Sequence, residues 1–201
     1  MELAVAMALW LAVVVGATVA MIRYSSTPGS SGTAPSAWPA DSPIPAVSNR
    51  PILVMFAHPH CPCTRASLGE LERLIAHVGG DLLTYVVFLK PVDTPVDWEK
   101  TDLWRKACSL PGVTAYTDNA GLEAHRFHAE TSGQTLLYDG AGTLLFQGGI
   151  TSARGHAGDN AGRSAIEELL KRGRAKQTNT PVFGCSLFET QCQKGEVSCK
   201  P

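Results

Sequence analysis

The hydrophobic pattern divides the chain into an apolar start, a polar spacer, a mixed head and a polar tail. Residues 3–22 carry no charge and are almost all Ala, Val, Leu, Met or Ile. Such a stretch forms a helix of about 30 Å, enough to cross the hydrocarbon core of a bilayer. We therefore predict a transmembrane anchor over residues 1–23. A cleaved signal peptide is the alternative, but no Lys or Arg precedes the run, which is longer than a usual signal core.

The spacer and the tail are recognised by composition. Residues 24–49 are rich in Ser, Pro, Gly, Ala and Thr, and a stretch of this kind is expected to be a flexible linker that buries no core. Residues 177–201 form a tail that contains three of the six cysteines, namely Cys185, Cys192 and Cys199. The globular head is therefore predicted over residues 50–176.

Within the head, apolar runs alternate with helical spacing. Residues 52–57 form a continuous apolar run that is typical of a strand buried on both faces, and residues 82–89 form a second one. Leucines at helical spacing lie between them, so the two strands should be parallel. The remaining predicted elements are helices over 97–108 and 121–130, a hairpin of strands 134–138 and 143–147, and a last helix after Asn160.

Charge and cysteine content narrow the function. With 17 basic and 18 acidic residues and a net charge of -1, the chain has no basic surface for nucleic acid. Six cysteines are many for a cytosolic protein of this size and favour an oxidising compartment. Arg23, just after the apolar run, gives a weak bias in the opposite sense. We expect a single-pass membrane protein with its head in the periplasm or otherwise outside the cytoplasm.

The candidate chemistry is centred on Cys61-Pro62-Cys63, where the first strand meets the helix that follows it. Free backbone N–H groups and the positive end of the helix dipole at this point favour thiolate over thiol. A thiolate attacks disulfides and also binds soft metals. The sequence therefore predicts sulfur chemistry at this junction.

The order of elements, with a cysteine pair after the first strand and a closing hairpin and helix, resembles the thioredoxin fold. The resemblance covers residues 50–175 and implies a three-layer α/β/α head with a central mixed sheet. The strings His58-Pro59-His60-Cys61-Pro62-Cys63-Thr64-Arg65 and Arg154-Gly155-His156 look like the narrower group of RedB-like proteins. There are two departures: one residue, not two, separates the cysteines, and Gly133 stands where the family has a cis-proline that keeps metals away.

The resemblance implies thiol–disulfide exchange with protein thiols and disulfides, without a cofactor. In this reading Cys61, next to His60, is the exposed nucleophile and Cys63 resolves the mixed disulfide. Cys185 is a further candidate for the resolving thiol, and Arg65 could support the thiolate. A disulfide across one intervening residue closes a small ring and should be strained and easily reduced.

Copper binding is the main alternative. Two thiolates and an imidazole suit Cu(I), or Zn in a site of modest rigidity. Cys61 and Cys63 would be ligands together with a histidine, and the candidates are the distant His156, His128 or His125 and the nearby His58 or His60. Copper-delivering thioredoxin-like proteins pair two cysteines with a remote histidine, although three residues separate their cysteines. A third hypothesis is a non-catalytic interaction domain, whereas a peroxidase is disfavoured because the proline and threonine that would hold the peroxide are misplaced.

The other cysteines have structural interpretations. Cys108 lies among apolar residues of a predicted helix and is expected to be a buried core thiol. Cys192 and Cys199 could form a disulfide bridge in the tail.

Overall fold

The computed structural model describes residues 2–46 and 49–188. Its helices and strands, in chain order, are α1 (Glu2–Ser26), β1 (Ile52–Ala57), α2 (Pro62–Val78), β2 (Leu83–Lys90), α3 (Asp102–Ser109), β3 (Val113–Asn119), α4 (Leu122–Arg126), β4 (Gln134–Tyr138), β5 (Leu144–Gly149) and α5 (Ala161–Arg172).

The five strands form one mixed sheet in the order β3-β2-β1-β4-β5. Strand β1 is parallel to β2, and β2 is parallel to β3. Strand β4 is antiparallel to both β1 and β5, and β4 and β5 are joined as a hairpin. The predicted parallel pair and the predicted hairpin are both confirmed. The pair of cysteines follows β1, the central strand, and so lies beyond the carboxyl end of that strand, in the middle of the sheet.

One face of the sheet is covered by α2, α3 and α5. The apolar side of α2 supplies Leu68, Leu71 and Leu74, all fully buried, and α5 adds Ile166. These side chains pack on alternate residues of β1 and β2. The helical spacing seen in the sequence therefore corresponds to the buried side of each helix.

The prediction of a flexible linker over residues 24–49 is wrong for the residues that cover the opposite face of the sheet. Helix α4 has only five residues and cannot cover this face of the sheet alone. Ala34 and Ile44, 5% and 1% exposed, complete the layer. Trp38 packs edge-on against Phe127 and Tyr138 at centroid distances of 5.0 and 5.2 Å. A few apolar residues in the Ser/Pro/Gly-rich segment are therefore enough to fix it on the domain, because the sheet presents an otherwise open apolar face.

Strand β3 was not expected from the sequence. It lies at the edge of the sheet and most of its residues are half-buried or exposed, so it lacks the continuous apolar run of β1 and β2. Its Val, Thr and Tyr residues were the available signal, since β-branched and aromatic residues favour strands. Helices α3 and α4 are also shorter than predicted, because the residues before Asp102 and after Arg126 form turns.

Two side chains differ from their predicted environments. Cys108 is exposed and not a core thiol, because it lies on the outer side of α3. The helical spacing of the leucines predicts that Glu70, like Glu72 and Arg73, lies on the solvent side of α2, but Glu70 is fully buried. Its carboxylate accepts hydrogen bonds from Arg163 at 2.9 Å, from the Asn160 amide at 3.1 Å and from the backbone of Gly158 at 2.7 Å. This network ties α2 to the start of α5.

Helix α1 is apolar and packs against the rest of the chain at its last turn. It has 25 residues, none of them buried, and is long and apolar enough to be a single membrane span. At 1.5 Å per residue it is about 37 Å long. A signal sequence near the N-terminus would satisfy the same two criteria.

Candidate functional site

Helix α2 begins at the cysteine pair. Cys61 is the residue that precedes its first turn and has extended backbone angles, and Pro62 occupies the first helical position. A proline is suited to that position because its fixed φ is helical and no N–H is needed there. The N–H of Cys61 donates to the carbonyl oxygen of His58 at 3.1 Å, which closes the turn between β1 and α2. The sequence Cys-Pro-Cys therefore places both sulfurs at the helix N-terminus.

Cys61 is the thiol best prepared to ionise. Its burial, at 1% exposed, favours the neutral form. Hydrogen bonds to its sulfur from the Cys185 thiol and from the backbone N–H of Cys185 outweigh that cost. Backbone N–H groups of Cys63 and Thr64, in the first turn of α2, add to them, and the pKa of Cys61 is lowered. The prediction that Cys61 is exposed is wrong, whereas the predicted effect of the helix start is seen.

The other two thiols are shifted in the opposite direction. Burial and the neighbouring sulfur of Cys61 raise the pKa of Cys63. Burial, together with the hydrogen bond that it donates to Cys61, raises the pKa of Cys185 to about 12. The site therefore contains one thiol that ionises readily and two that hold their protons. This is the arrangement expected of one nucleophile with two potential resolving groups.

Cys185 reaches the site on a segment that we call the C-terminal strap, residues 182–188. The strap pairs in an antiparallel manner with the residues just before β4. The N–H of Ser132 donates to the carbonyl oxygen of Cys185 at 2.8 Å, and the N–H of Leu187 donates to that of Glu130 at 2.8 Å. Backbone pairing, rather than the local sequence around Cys185, therefore brings the third thiol to Cys61.

Arg154 is the cation of the site, and it was not singled out as a site residue in the sequence. It lowers the proton affinity of Cys63 and Cys185 electrostatically, although burial prevails in both. Its guanidinium donates a short hydrogen bond to the carbonyl oxygen of Gly184. Arg65, the predicted supporting residue, forms an ion pair with Asp102 on the exposed side of α2. The Arg154-Gly155-His156 string was the available signal.

The two histidines before the cysteines lie beside Trp98. The ring of His60 packs on Trp98 with centroids 4.5 Å apart, and its Nε2 is 3.2 Å from the Trp98 carbonyl oxygen. His58 accepts the N–H of His60 on Nδ1 at 3.2 Å. Burial and the neighbouring imidazole lower the pKa of His58, consistent with a neutral ring whose Nδ1 is an acceptor. His60, predicted to assist Cys61, is held mainly by Trp98.

Gly133 has a local reason to be glycine. Its φ is +93°, in the region that side chains other than glycine rarely adopt, and its N–H donates to the carbonyl oxygen of Phe56 at 2.7 Å. A proline at this position would lose that hydrogen bond and require a φ near −65°. The preceding residue, Ser132, uses its hydroxyl to accept the N–H of His58 at 2.9 Å. The polar Thr-Ser-Gly loop therefore buttresses the turn that carries Cys61.

The proposed copper ligands are not assembled as a metal-binding group. His156 is exposed, and its Nδ1 lies 3.1 Å from the carbonyl oxygen of Arg154. Across residues 2–46 and 49–188, no group of three or more His, Cys, Asp or Glu side chains is arranged to hold a metal ion. The sulfurs of Cys61, Cys63 and Cys185 interact with one another without forming such a group. Copper binding stays a prediction, and the predicted Cys192–Cys199 bridge lies outside the described residues.

An apolar cleft of about 590 Å³ flanks the thiols. Trp98 and His58 line one end of it, and the last residues of the strap line another. Val92 also lines the cleft and is 67% exposed. The lining includes His58, three residues before Cys61, and Ser186, which follows Cys185, whereas the sulfur of Cys61 itself is covered.

The sheet order, the helices on both faces and the cysteine pair after the central strand define a thioredoxin-like fold. An uncharacterized conserved protein from Geobacillus kaustophilus has a similar structure, at 17% identity over 81% of this chain and 92% of its own, with a TM-score of 0.57. A hypothetical protein from Sinorhizobium meliloti 1021 is similar at 20% identity over 80% of this chain and 93% of its own, with a TM-score of 0.56.

A more distant similarity is found to the pneumococcal exposed lipoprotein thioredoxin of Streptococcus pneumoniae TIGR4. It has 17% identity over 62% of this chain and 85% of its own, with a TM-score of 0.45. No family model matches the chain, and no curated protein is significantly similar to it. The narrower resemblance to RedB-like proteins stays a prediction.

Proposed function

We propose that this chain is a membrane-anchored thiol–disulfide oxidoreductase that acts on protein disulfides outside the cytoplasm. The observation that supports it most strongly is the contrast among three neighbouring thiols, of which only Cys61 has a lowered pKa. A buried structural thiol would have a raised pKa, as Cys63 and Cys185 do. The hydrogen bonds to the Cys61 sulfur favour its thiolate, which is the form that attacks disulfides.

The exchange has two steps. The Cys61 thiolate attacks one sulfur of the partner's disulfide, forms a mixed disulfide, and the partner's second sulfur leaves as a thiolate that takes up a proton. A second thiol of the site, Cys63 or Cys185, then gives up its proton and attacks the Cys61 sulfur. The partner leaves as a dithiol, and two electrons have passed from this protein to the partner. The same steps in reverse would oxidise a partner dithiol.

Reduction of insulin disulfides by the full chain in detergent, with dithiothreitol as the electron donor that restores the protein's thiols, tests the enzyme function. Cys61→Ser should abolish turnover, whereas Cys108→Ser, which removes an exposed thiol of α3, should leave it unchanged. Loss of activity in neither variant would refute the proposal. Mass spectrometry of Cys63→Ser and Cys185→Ser separates the resolving candidates, because the mixed disulfide on Cys61 should accumulate only when the true resolving thiol is absent.

The anchored location has its own test. An intact chain should remain in the membrane fraction after alkaline carbonate extraction. In whole cells, an impermeant maleimide should label Cys108, which is exposed on the head. A soluble chain shortened at its N-terminus, or labelling of Cys108 only after lysis, would contradict this part of the proposal.

A further inference from the structure

The thiol site is attached directly to the end of α1. The backbone N–H of Arg154 donates to the carbonyl oxygen of Ser25 at 2.9 Å, and its Nε donates to that of Thr27 at 3.3 Å. Its guanidinium carbon lies 5.1 Å from the centroid of the Tyr24 ring. The same guanidinium holds the Gly184 carbonyl, next to Cys185. One side chain therefore spans from the last turn of the apolar helix to the site.

The segment that follows α1 is hydrogen-bonded to the C-terminal strap and to the loop beside it, so α1 ends close to the site. Gly29 donates its N–H to the carbonyl oxygen of Val182 in the strap at 2.8 Å. The hydroxyl of Thr131, in the loop that pairs with the strap, donates a short hydrogen bond to the carbonyl oxygen of Ser30. Three residues after Ser26 can extend at most about 10 Å. Residues 24–30 are therefore fixed against the C-terminal strap and the loop that pairs with it, and they are not a flexible spacer.

The apolar surface of α1 indicates where the membrane lies relative to residues 24–30. None of its residues is buried, and its apolar surface is stable only in a bilayer or against another apolar surface. Its length of about 37 Å exceeds the 30 Å hydrocarbon core, so its last turn should emerge at the headgroups. Because that last turn contacts Arg154, the three thiols lie close to the membrane surface, beside an apolar cleft.

We propose that the three-thiol site works at the membrane surface and that its partner is an integral membrane protein with a cysteine or disulfide close to its own membrane span. This inference rests on the proposed function. A soluble partner would meet a site partly shielded by headgroups. A juxtamembrane cysteine would be presented at the right height, and apolar residues beside it could enter the cleft.

Exchange with membrane-embedded peptides tests the inference. The full chain is reconstituted in phosphatidylcholine–phosphatidylglycerol vesicles with single-span peptides whose one cysteine carries a thionitrobenzoate. Flexible spacers of about 3, 12 and 24 residues place that cysteine roughly 10, 19 and 27 Å from the span. Attack by Cys61 forms the mixed disulfide and releases coloured thionitrobenzoate. The peptides diffuse freely in the membrane plane, so only the height of the cysteine above its span matters. The range of that height grows about threefold from the shortest to the longest spacer, and the rate should fall about threefold.

Two insertions provide the matched comparison. A flexible Gly-Ser insert between Arg23 and Tyr24, before the first residue that contacts Arg154, should lift the head and abolish the preference for the shortest spacer. The same insert between Gly79 and Gly80, a turn where added side chains meet nothing, should leave the preference intact. A rate independent of spacer length in the unaltered chain would overturn the inference, as would a preference that survives the first insert.

A soluble peptide with the same thionitrobenzoate disulfide separates the two proposals. If Cys61-dependent exchange with the soluble peptide is intact while the spacer series is flat, only the membrane-surface inference fails. If Cys61→Ser exchanges with soluble and embedded peptides as fast as the unaltered chain, the proposed function fails, and this inference with it.

Discussion

The hydrogen bond from Cys185 to Cys61 allows a quantitative prediction. Hydrogen bonds to a charged acceptor contribute about 1.5–3 kcal/mol, and a thiol is a weak donor, so the lower end applies. About 1.4 kcal/mol corresponds to one pKa unit. Cys185→Ala removes this donor but keeps the backbone N–H of residue 185, and it should raise the pKa of Cys61 by about one unit. Cys185→Ser, of similar size and still a donor, should keep that pKa low.

The pH dependence of iodoacetamide alkylation measures the pKa of Cys61, because only the thiolate reacts. The measurement needs a background in which the cysteines other than those at 61 and 185 are replaced by serine. These are Cys63, Cys108, Cys192 and Cys199. With Cys185 present, the midpoint should lie below the value of about 8.5 for a free cysteine. Removing the side chain of Cys185 also admits water, which opposes the expected rise, so the alanine and serine variants are compared with each other.

The reasoning is refuted if the alanine and serine variants have the same Cys61 midpoint. It is refuted equally if the midpoint in the parent lies above that of a free cysteine. In the first case the donor is unimportant, and in the second burial outweighs all the hydrogen bonds to the sulfur.

Three further predictions concern stability. Glu70→Ala should lower the free energy of unfolding by about 3–5 kcal/mol in urea titrations, because it removes the buried carboxylate that accepts from Arg163, Asn160 and Gly158; an unchanged midpoint would contradict the network. Burial raises the pKa of Asp118 to about 6, above 3.8, so its ionised form costs stability above pH 6 and the cost disappears as the pH falls toward 4. Asp118→Asn should remove this component, at most about 3 kcal/mol, and an identical pH profile for the variant would argue against it. Gly133→Ala should cost about 1–2 kcal/mol for its positive φ, and Gly133→Pro should cost more because the hydrogen bond to Phe56 is also lost; equal thermal midpoints for the two would refute this ranking.

The centre of the fold could be predicted because its signals are local. Strands β1 and β2 are continuous apolar runs, α2 has leucines at helical spacing, and the β4–β5 hairpin has a Gly-rich turn. Each of these patterns is confined to fewer than about 20 residues and needs no knowledge of the neighbouring elements. The position of Cys61 and Cys63 at the start of α2 follows from the same local patterns.

The parts that could not be predicted depend on contacts distant in sequence. Trp38 and Ile44 are isolated apolar residues in a polar segment, and only the open sheet face gives them a binding surface. The sequence does not show which of Arg65 and Arg154 lies beside the thiols, since that depends on the direction of each guanidinium. Cys61 is buried because residues more than 120 positions later lie over it.

The covered state of Cys61 constrains the order of events in exchange. At 1% exposed, its sulfur cannot meet an external disulfide while Cys185 donates to it. The first step therefore requires the C-terminal strap to move aside, which breaks its backbone pairing with Ser132. The second step, if Cys185 resolves, requires the strap to return, and then the thiol needs only to lose its proton. The resulting Cys61–Cys185 bridge would close a loop of more than 100 residues. In the chain-entropy model, such a bridge restricts the unfolded chain and stabilises the folded state by about 4–5 kcal/mol. A Cys61–Cys63 bridge closes only a small ring and gains little in this way. If Cys185 resolves, the oxidised protein with its Cys61–Cys185 disulfide would thus be the more stable form. If Cys63 resolves, the Cys61–Cys63 disulfide would be readily transferred to a partner dithiol.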